Sequence, residues 1–380
     1  MPSTDVLIQG AGVVGRTLAL CLGPLGLRVA LRQPANAPIE GDDVRAYALN
    51  AASVALLRQI KVWDALPPHA VTPVYDMQVH GDDTDAALSF SAWQQGVPAL
   101  AWIVDVSALE TALATAVRFA PHIDTLAAEA PAPAVSLTAV CEGRQSLTRD
   151  AVASVTVQRT DYGQTAIAAR LHTPVPHAGV ARQWFRSPDV LALLPCSADS
   201  AGAPAYALVW SLPHLRAAEL MAAPDDEFEA ALAQAVPGSA DIGPLRLASA
   251  RRAWPLSRLE VDPWCGPGWV LVGDAAHGVH PLAGQGLNLG LGDIAALVQV
   301  LARREAWRSV GDVKLLRRYA RQRVLPTQAM GELTGGLVHL FAHPSPWVRE
   351  LRNRGLGLVQ HAPGLKRWLT SRALDADVIA

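Results

Sequence analysis

The run Asp5-Val6-Leu7-Ile8-Gln9-Gly10-Ala11-Gly12-Val13-Val14-Gly15 decides how the rest of this 380-residue chain is read. Asp5 to Gln9 has the apolar content of a short buried strand, and Arg16 to Leu22 a helical pattern. Gly23-Pro24-Leu25-Gly26 breaks that helix, and Leu27 to Leu31 forms a second strand-like run. Strand, glycine loop, helix and strand together are the context in which a G-x-G-x-x-G match carries meaning. In that context Gly10 permits the tight turn, Gly12 lets the backbone approach a pyrophosphate, and Gly15 lets the helix pack close to the strand, with Ala11 and Val14 between them. The diphosphate would rest on unpaired backbone N–H groups at the positive end of the helix. The alternative, a merely glycine-rich turn, does not account for the surrounding pattern. An acidic residue usually closes the second strand and accepts from the adenosine ribose. Here Gln33 stands in that place, after Arg32. Glutamine still accepts, but without the charge assistance that roughly doubles such a bond, so weaker dinucleotide binding is expected.

A second signature lies far along the chain. Trp269-Val270-Leu271-Val272 is an apolar strand ending in Gly273-Asp274, and Gly284, Gly286 and Gly290 open a long helical pattern. Asp274 is placed to accept from a sugar-like hydroxyl such as the ribityl chain of a flavin. The helix start, with Gln285, Leu287 and Asn288 beside its glycines, favours negative charge through its dipole. Between the two signatures, Asp43-Val44-Arg45-Ala46-Tyr47-Ala48-Leu49-Asn50 leads into a helix over 51–66, and Arg45 stands as a cation that could reach a phosphate or a flavin. A surface salt bridge is the other reading of Arg45.

Composition agrees with a folded enzyme. Hydrophobic residues make 51% and charged residues 17%, against about 25% charged in an average globular chain, which excludes a disordered protein. The 29 Gly and 28 Pro show no fixed period, so collagen-like and low-complexity classes go too. A net charge of -2 argues against nucleic acid as a partner. Cys21, Cys141, Cys196 and Cys265 form no Cys-x-x-Cys pair, and the N-terminus has no basic signal region. Arg16 and Arg28 interrupt the most hydrophobic segment, so no transmembrane run is expected, and the expected compartment is the cytoplasm. No G-x-S-x-G or H-E-x-x-H occurs, and His277 and His280 without a third ligand suit packing and hydrogen bonding, so no metal is assigned. Residues 301–380 hold fourteen Lys and Arg against six Asp and Glu, whereas 1–300 hold eighteen against twenty-eight. A solvated helix face is the favoured reading of that tail, and attraction to anionic lipid the alternative.

Taken together, Gly10–Gly15, Asp43–Leu66, Asp161-Tyr162-Gly163-Gln164-Thr165-Ala166 and Gly273–Asp293 resemble the class A flavin monooxygenases, the para-hydroxybenzoate hydroxylase superfamily. Within it they look most like the ubiquinone-biosynthesis hydroxylases, over nearly the whole chain. The resemblance implies an α/β fold: a Rossmann-like FAD-binding domain of glutathione-reductase type, an interleaved antiparallel-sheet substrate domain and a helical C-terminal tail. It implies non-covalent FAD, NAD(P)H as reductant, and O2 consumed in hydroxylating an electron-rich aromatic ring. By position, Gly10, Gly12, Gly15 and Gln33 would meet the ADP half of FAD and Arg45 would face the cofactor. Gly273 and Asp274 would meet the ribityl–pyrophosphate region, and Pro281 through Gly284, Gln285, Gly286, Leu287 and Asn288 the isoalloxazine edge. No catalytic residue is assigned, since the cofactor carries the hard chemistry.

Three features depart from that pattern. Gln33 is one. Glu142-Gly143 replaces the family's Asp-Gly pair, and the segment 119–141 is short, with Ala127 to Ala134 as a loop. All three sit on the ADP and nicotinamide side, so weak FAD retention is expected. The expected boundaries are 1–75, 97–152 and 253–300 for the FAD domain, 76–96 and 153–252 for the substrate domain, and 301–380 for the helical tail broken at Pro326, Pro344 and Pro346. The leading function is hydroxylation of a polyprenylated phenol in ubiquinone biosynthesis. Alternatives are hydroxylation of another aromatic metabolite, or a non-enzymatic relative acting as an assembly partner in a biosynthetic complex. Low charge and a basic tail bearing Trp347 and Trp368 suit a lipid-like substrate met at the inner face of a membrane.

Overall fold

A computed structural model describes residues 4–33, 43–81, 87–152, 154–198, 203–237, 241–278 and 285–342. The first signature builds the central part of a six-stranded sheet. Its order is Cys265–Gly266, Trp269–Leu271, Leu137–Val140, Val6–Gln9, Val29–Arg32 and Ile123–Leu126, parallel except at the Cys265–Gly266 edge. These strands are near-continuous apolar runs because one core encloses them: Val6, Ile8, Val29, Leu31, Leu137 and Leu271 pack with Leu18, Leu109, Leu297 and Leu316 from helices.

The second sheet has nine strands and is antiparallel apart from one pair. It runs His277–Gly278, Arg252–Asp262, Thr156–His172, Pro204–Pro213, Asp189–Ser197, Val180–Arg186, Asp76–His80 and Ala87–Ser91, with Arg246–Leu247 attached to Thr156–His172. Period-2 alternation divides its side chains between two cores. Tyr206, Leu208 and Trp210 meet Phe228 and Leu232 of the helix Asp225–Ala235. Ala205 and Ala207 instead meet Val74, Leu100 and Ile103. Val74 and Ile103 belong to a three-stranded sheet of Ala46–Leu49, Ala101–Asp105 and Val71–Val74.

The two large sheets join where the site lies. Trp269–Leu271 is in the first, and after a turn at Gly273–Ala275 the pair His277–Gly278 already belongs to the second, opposite Leu259 and Glu260.

Several expectations change. Arg252–Asp262, expected from residue 253 within the cofactor domain, pairs along its length with Thr156–His172 in the nine-stranded sheet. Partners 84 to 106 residues away in sequence choose its sheet. The helix expected over 51–66 ends at Gln59, with a separate turn at Trp63–Ala65, and Arg45 precedes the strand Ala46–Leu49. Pro326 lies inside the helix Val313–Ala342 and does not break it. A helix-interior proline costs roughly 3 kcal/mol. Here buried Leu315, Leu316, Tyr319 and Thr327 anchor the helix on both sides of it. Pro344 and Pro346 lie outside the described residues. Finally, Gln285–Ala302 is by length and composition apolar enough to span a membrane, contrary to the expectation of no such run. Its Leu289, Leu291, Ile294, Leu297 and Leu301 are buried inside the protein, which accounts for its apolarity.

Candidate functional site

The parallel register gathers the ends of four strands. Gln9 pairs with Arg32 and with Val140, and Val140 with Leu271. Gly10, Gln33, Cys141-Glu142 and Val272-Gly273 therefore leave the sheet at one edge, the carboxyl ends where open α/β sheets bind ligands. Gly10 has φ 100°, and a Cβ on it would lie 2.6 Å from the Cys141 carbonyl oxygen. A Cβ on Gly15 would stand 1.8 Å from the Gly10 oxygen, so helix and strand approach to a distance only glycine allows. A Cβ on Gly12 would meet nothing within 4 Å. Gly12 is also the N-cap of Val13–Leu22 and, having no side chain, makes no cap hydrogen bond to the first-turn amides. Two glycines serve packing, and the third leaves room for a diphosphate at a helix start.

Ala11 and Val14 follow in the same segment, and Val14 connects the two signatures. Its Cγ2 is 3.2 Å from the Cβ position of Gly273 and 3.1 Å from that of Gly290. The glycine turn near the N-terminus and the one some 260 residues later thus fold against each other, and any larger residue at 273 or 290 would push them apart. Gly273 has φ 64°, which favours glycine.

Asp274 is half-exposed beside this junction. Its Oδ2 is 3.4 Å from Arg144 Nε, a solvent-exposed pair worth at most about 1 kcal/mol. The Cβ position of Gly286 is 3.9 Å from Asp274 Oδ1, so the carboxylate faces the start of the helix that carries Gln285, Gly286 and Leu287. Pro281 and Gly284 lie outside the described residues.

Asn288 is buried and faces the other way. It accepts from the Asn50 amide at 3.0 Å and the Ser53 hydroxyl at 2.7 Å, and donates to the Ala48 carbonyl at 2.7 Å. It pins the long helix to the segment following Arg45. Arg45 itself pairs with Asp43 through Nε and Nη2. Burial raises the Asp43 carboxyl, but the hydrogen bonds and charge of Arg45 outweigh it and hold it below the usual range. Arg170 holds this corner by donating to the Arg45 carbonyl at 2.8 Å and to Asp105 at 2.7 Å.

At the end of the second strand, where ADP is expected, Gln33 donates its backbone N–H to the Leu126 carbonyl, and Arg32 donates to the carbonyls of Ala128 and Ala130, holding the short loop there. Glu142 reaches Ser146 Oγ at 2.6 Å, Thr148 N at 3.0 Å and Thr148 Oγ1 at 2.8 Å. Its carboxylate is thereby engaged at the first turn of the short helix Leu147–Asp150.

Sequence reasoning missed the residues that tie these turns together. Arg149, fully buried, donates to the Ala275 carbonyl at 3.1 Å and the Arg144 carbonyl at 2.9 Å. Asp293, also fully buried, accepts from the Gly273 amide at 3.0 Å, from Arg323 at 2.7 Å, and meets His277 Nε2 at 2.7 Å. Burial alone would raise the Asp293 carboxyl; His277 and Arg323 overcome it and keep its value low. Asp293 had a signal, a lone acid in an otherwise apolar helical run. Arg149 had none.

The residues fit FAD. A diphosphate needs the open amide surface at Gly12, and a ribityl chain needs an acceptor such as Asp274 between the two turns.

Comparison with known proteins agrees. The FAD binding domain family matches residues 135–334. Over 400 residues the chain is 30% identical to the 3-demethoxyubiquinol 3-hydroxylase of Escherichia coli (strain K12), covering 98% of each. It is 28% identical to the ubiquinone hydroxylase UbiL of Rhodospirillum rubrum, covering 97% of this chain and 89% of that one. The solved structure of PqsL from Pseudomonas aeruginosa with 2-aminobenzoylacetate has a TM-score of 0.76 at 21% identity, over 93% of this chain and 99% of that one, a likeness of fold.

Proposed function

The chain belongs to the FAD binding domain family and to its ubiquinone-hydroxylase branch, and from that premise we propose that it hydroxylates the ring of a polyprenylated phenol in ubiquinone biosynthesis. NAD(P)H and O2 are the co-substrates in this reading. It is an FAD-dependent monooxygenase, and the observation that carries the placing of the cofactor is the contact of Val14 with Gly273 and Gly290. That contact makes one site of two turns, each suited to a different part of a single FAD.

When bound, FAD supplies the electron transfer and oxygen activation. The chain's own residues bind and orient. The amides of the first turn of Val13–Leu22 would hold the diphosphate beside Gly12. Asp274, beside Arg144, would accept from the ribityl hydroxyls. The start of Gln285–Ala302 lies on the other side of Asp274 and presents its amides to negative charge. Arg45, held by Asp43 and Arg170, closes the side towards the three-stranded sheet.

The test is direct. Protein purified with stoichiometric FAD and supplied with NADPH or NADH should consume O2 faster when a prenylated phenol is added, with a hydroxylated product by mass spectrometry. FAD-loaded protein whose oxygen consumption responds to no prenylated phenol, but does respond to a small aromatic acid, would move the reading to another aromatic metabolite. The same reading places the protein in the cytoplasm with peripheral contact to the inner membrane face. It rests on the fourteen basic residues of 301–380, among them the exposed Arg317 and Arg321. Sedimentation with vesicles containing anionic lipid, and its loss in high salt, checks that contact.

A further inference from the structure

The helix Val313–Ala342 reaches the cofactor turn through one buried contact and one partly buried one. Tyr319 donates its hydroxyl to the Leu271 carbonyl at 2.9 Å, on the strand that leads into the turn. Four residues later, Arg323 donates Nε to Asp293 Oδ1 at 2.7 Å and Nη2 to the Leu289 carbonyl at 3.1 Å. The other oxygen of Asp293 takes the Gly273 amide at 3.0 Å and His277 Nε2 at 2.7 Å. Trp264 packs against this cluster, its ring 5.1 Å from that of His277 and 6.5 Å from that of Tyr319. A carboxylate with no solvent exposure persists only where its partners replace its hydration. Its position is therefore fixed by Arg323, and it in turn fixes the peptide next to Asp274.

We propose that Asp293 and Arg323 are positioning residues for FAD: the C-terminal helix holds the Gly273–Asp274 turn in its binding geometry through Arg323, Asp293 and the Gly273 amide. Retention of the cofactor is then set by a helix outside both glycine signatures. This rests on the placing of FAD at Asp274 given above. Gly292 supplies a way to disturb the linkage without removing any hydrogen-bonding group. A Cβ there would lie 3.0 Å from Arg323 Nη2, so Gly292→Ala displaces the guanidinium while improving helix propensity.

The experiment titrates the apoprotein of each variant with FAD by flavin fluorescence, and records the visible circular dichroism of bound flavin and the melting temperature of the apoprotein. Arg323→Gln should raise the FAD Kd about tenfold, the equivalent of one charged hydrogen bond. Arg323→Lys should recover part of that, because an ammonium can meet Asp293 but lacks the guanidinium's fork for Leu289 as well. Gly292→Ala should weaken FAD and alter its circular dichroism with no fall in apoprotein melting temperature, a separation that a purely structural role would not produce. FAD Kd values within about twofold of wild type in both Gly292→Ala and Arg323→Lys overturn the proposal, and these two variants decide if Arg323→Gln fails to fold. Gly12→Ala serves as the reference. If it too leaves the Kd unchanged, the placing of FAD has failed and not merely the linkage.

Discussion

Gly12 and Gly15 are three residues apart and have opposite reasons for being glycine. Gly15 faces the Gly10 carbonyl at a distance no Cβ tolerates, whereas Gly12 faces open space. Gly15→Ala should therefore destabilise the apoprotein by about 1–3 kcal/mol, seen in its melting curve. Gly12→Ala should cost the apoprotein no more than about 1 kcal/mol, the difference between these residues at an N-cap. It should still weaken FAD, because the methyl occupies the diphosphate approach. Asp293 is the other residue whose change is specific. Its folded pKa lies below the ordinary carboxylate value because His277 and Arg323 outweigh its burial. A depressed value means that stability is fully present above the unfolded pKa of about 3.9 and is lost as pH falls through the folded one. The stability difference between wild type and Asp293→Asn, measured by urea unfolding, should hold steady above about pH 5 and shrink below about pH 4. A difference that instead grows on acidification would contradict the ionised state.

Among the elements, the helix Val313–Ala342 is the informative one, because it continues through Pro326. The missing N–H and the ring clash act against the helix, and buried contacts on either side hold it. Pro326→Ala should raise the melting temperature, because stability gains about 1–2 kcal/mol once the greater freedom of the unfolded chain is set against the relief of the helix. No rise would mean that the proline is accommodated without strain. The same helix shows what local pattern reveals and what it does not. The family resemblance implied a helical tail. Proline's local tendency suggested a break there, and packing overruled it. Arg252–Asp262 makes the same point for strands. Alternation marks a strand, but pairing with Thr156–His172 is a property of two segments, and neither alone discloses it.

At the scale of the molecule, the turn Gly273–Ala275 joins the two large sheets, and FAD would bridge the segments that meet there. Binding should therefore stabilise both sheets together. At free FAD of 100 times Kd the gain is about 2.7 kcal/mol, and far-UV and tryptophan signals should shift upward by the same interval. A shift in one signal only would separate the sheets and contradict the shared junction. By itself the sequence determined the two glycine turns and, through the family resemblance they carry, the flavin-dependent class, because each turn depends on residues within a few positions of one another. Only the tertiary structure decided which sheet takes Arg252–Asp262, where Asn288 turns its amide, and that Arg149, Asp293 and Arg323 hold the turns. Asn288, Arg149 and Asp293 are buried and Arg323 is partly so; their lost hydration is replaced by partners as far as 240 residues away, whose identity exists only once the chain has closed around them.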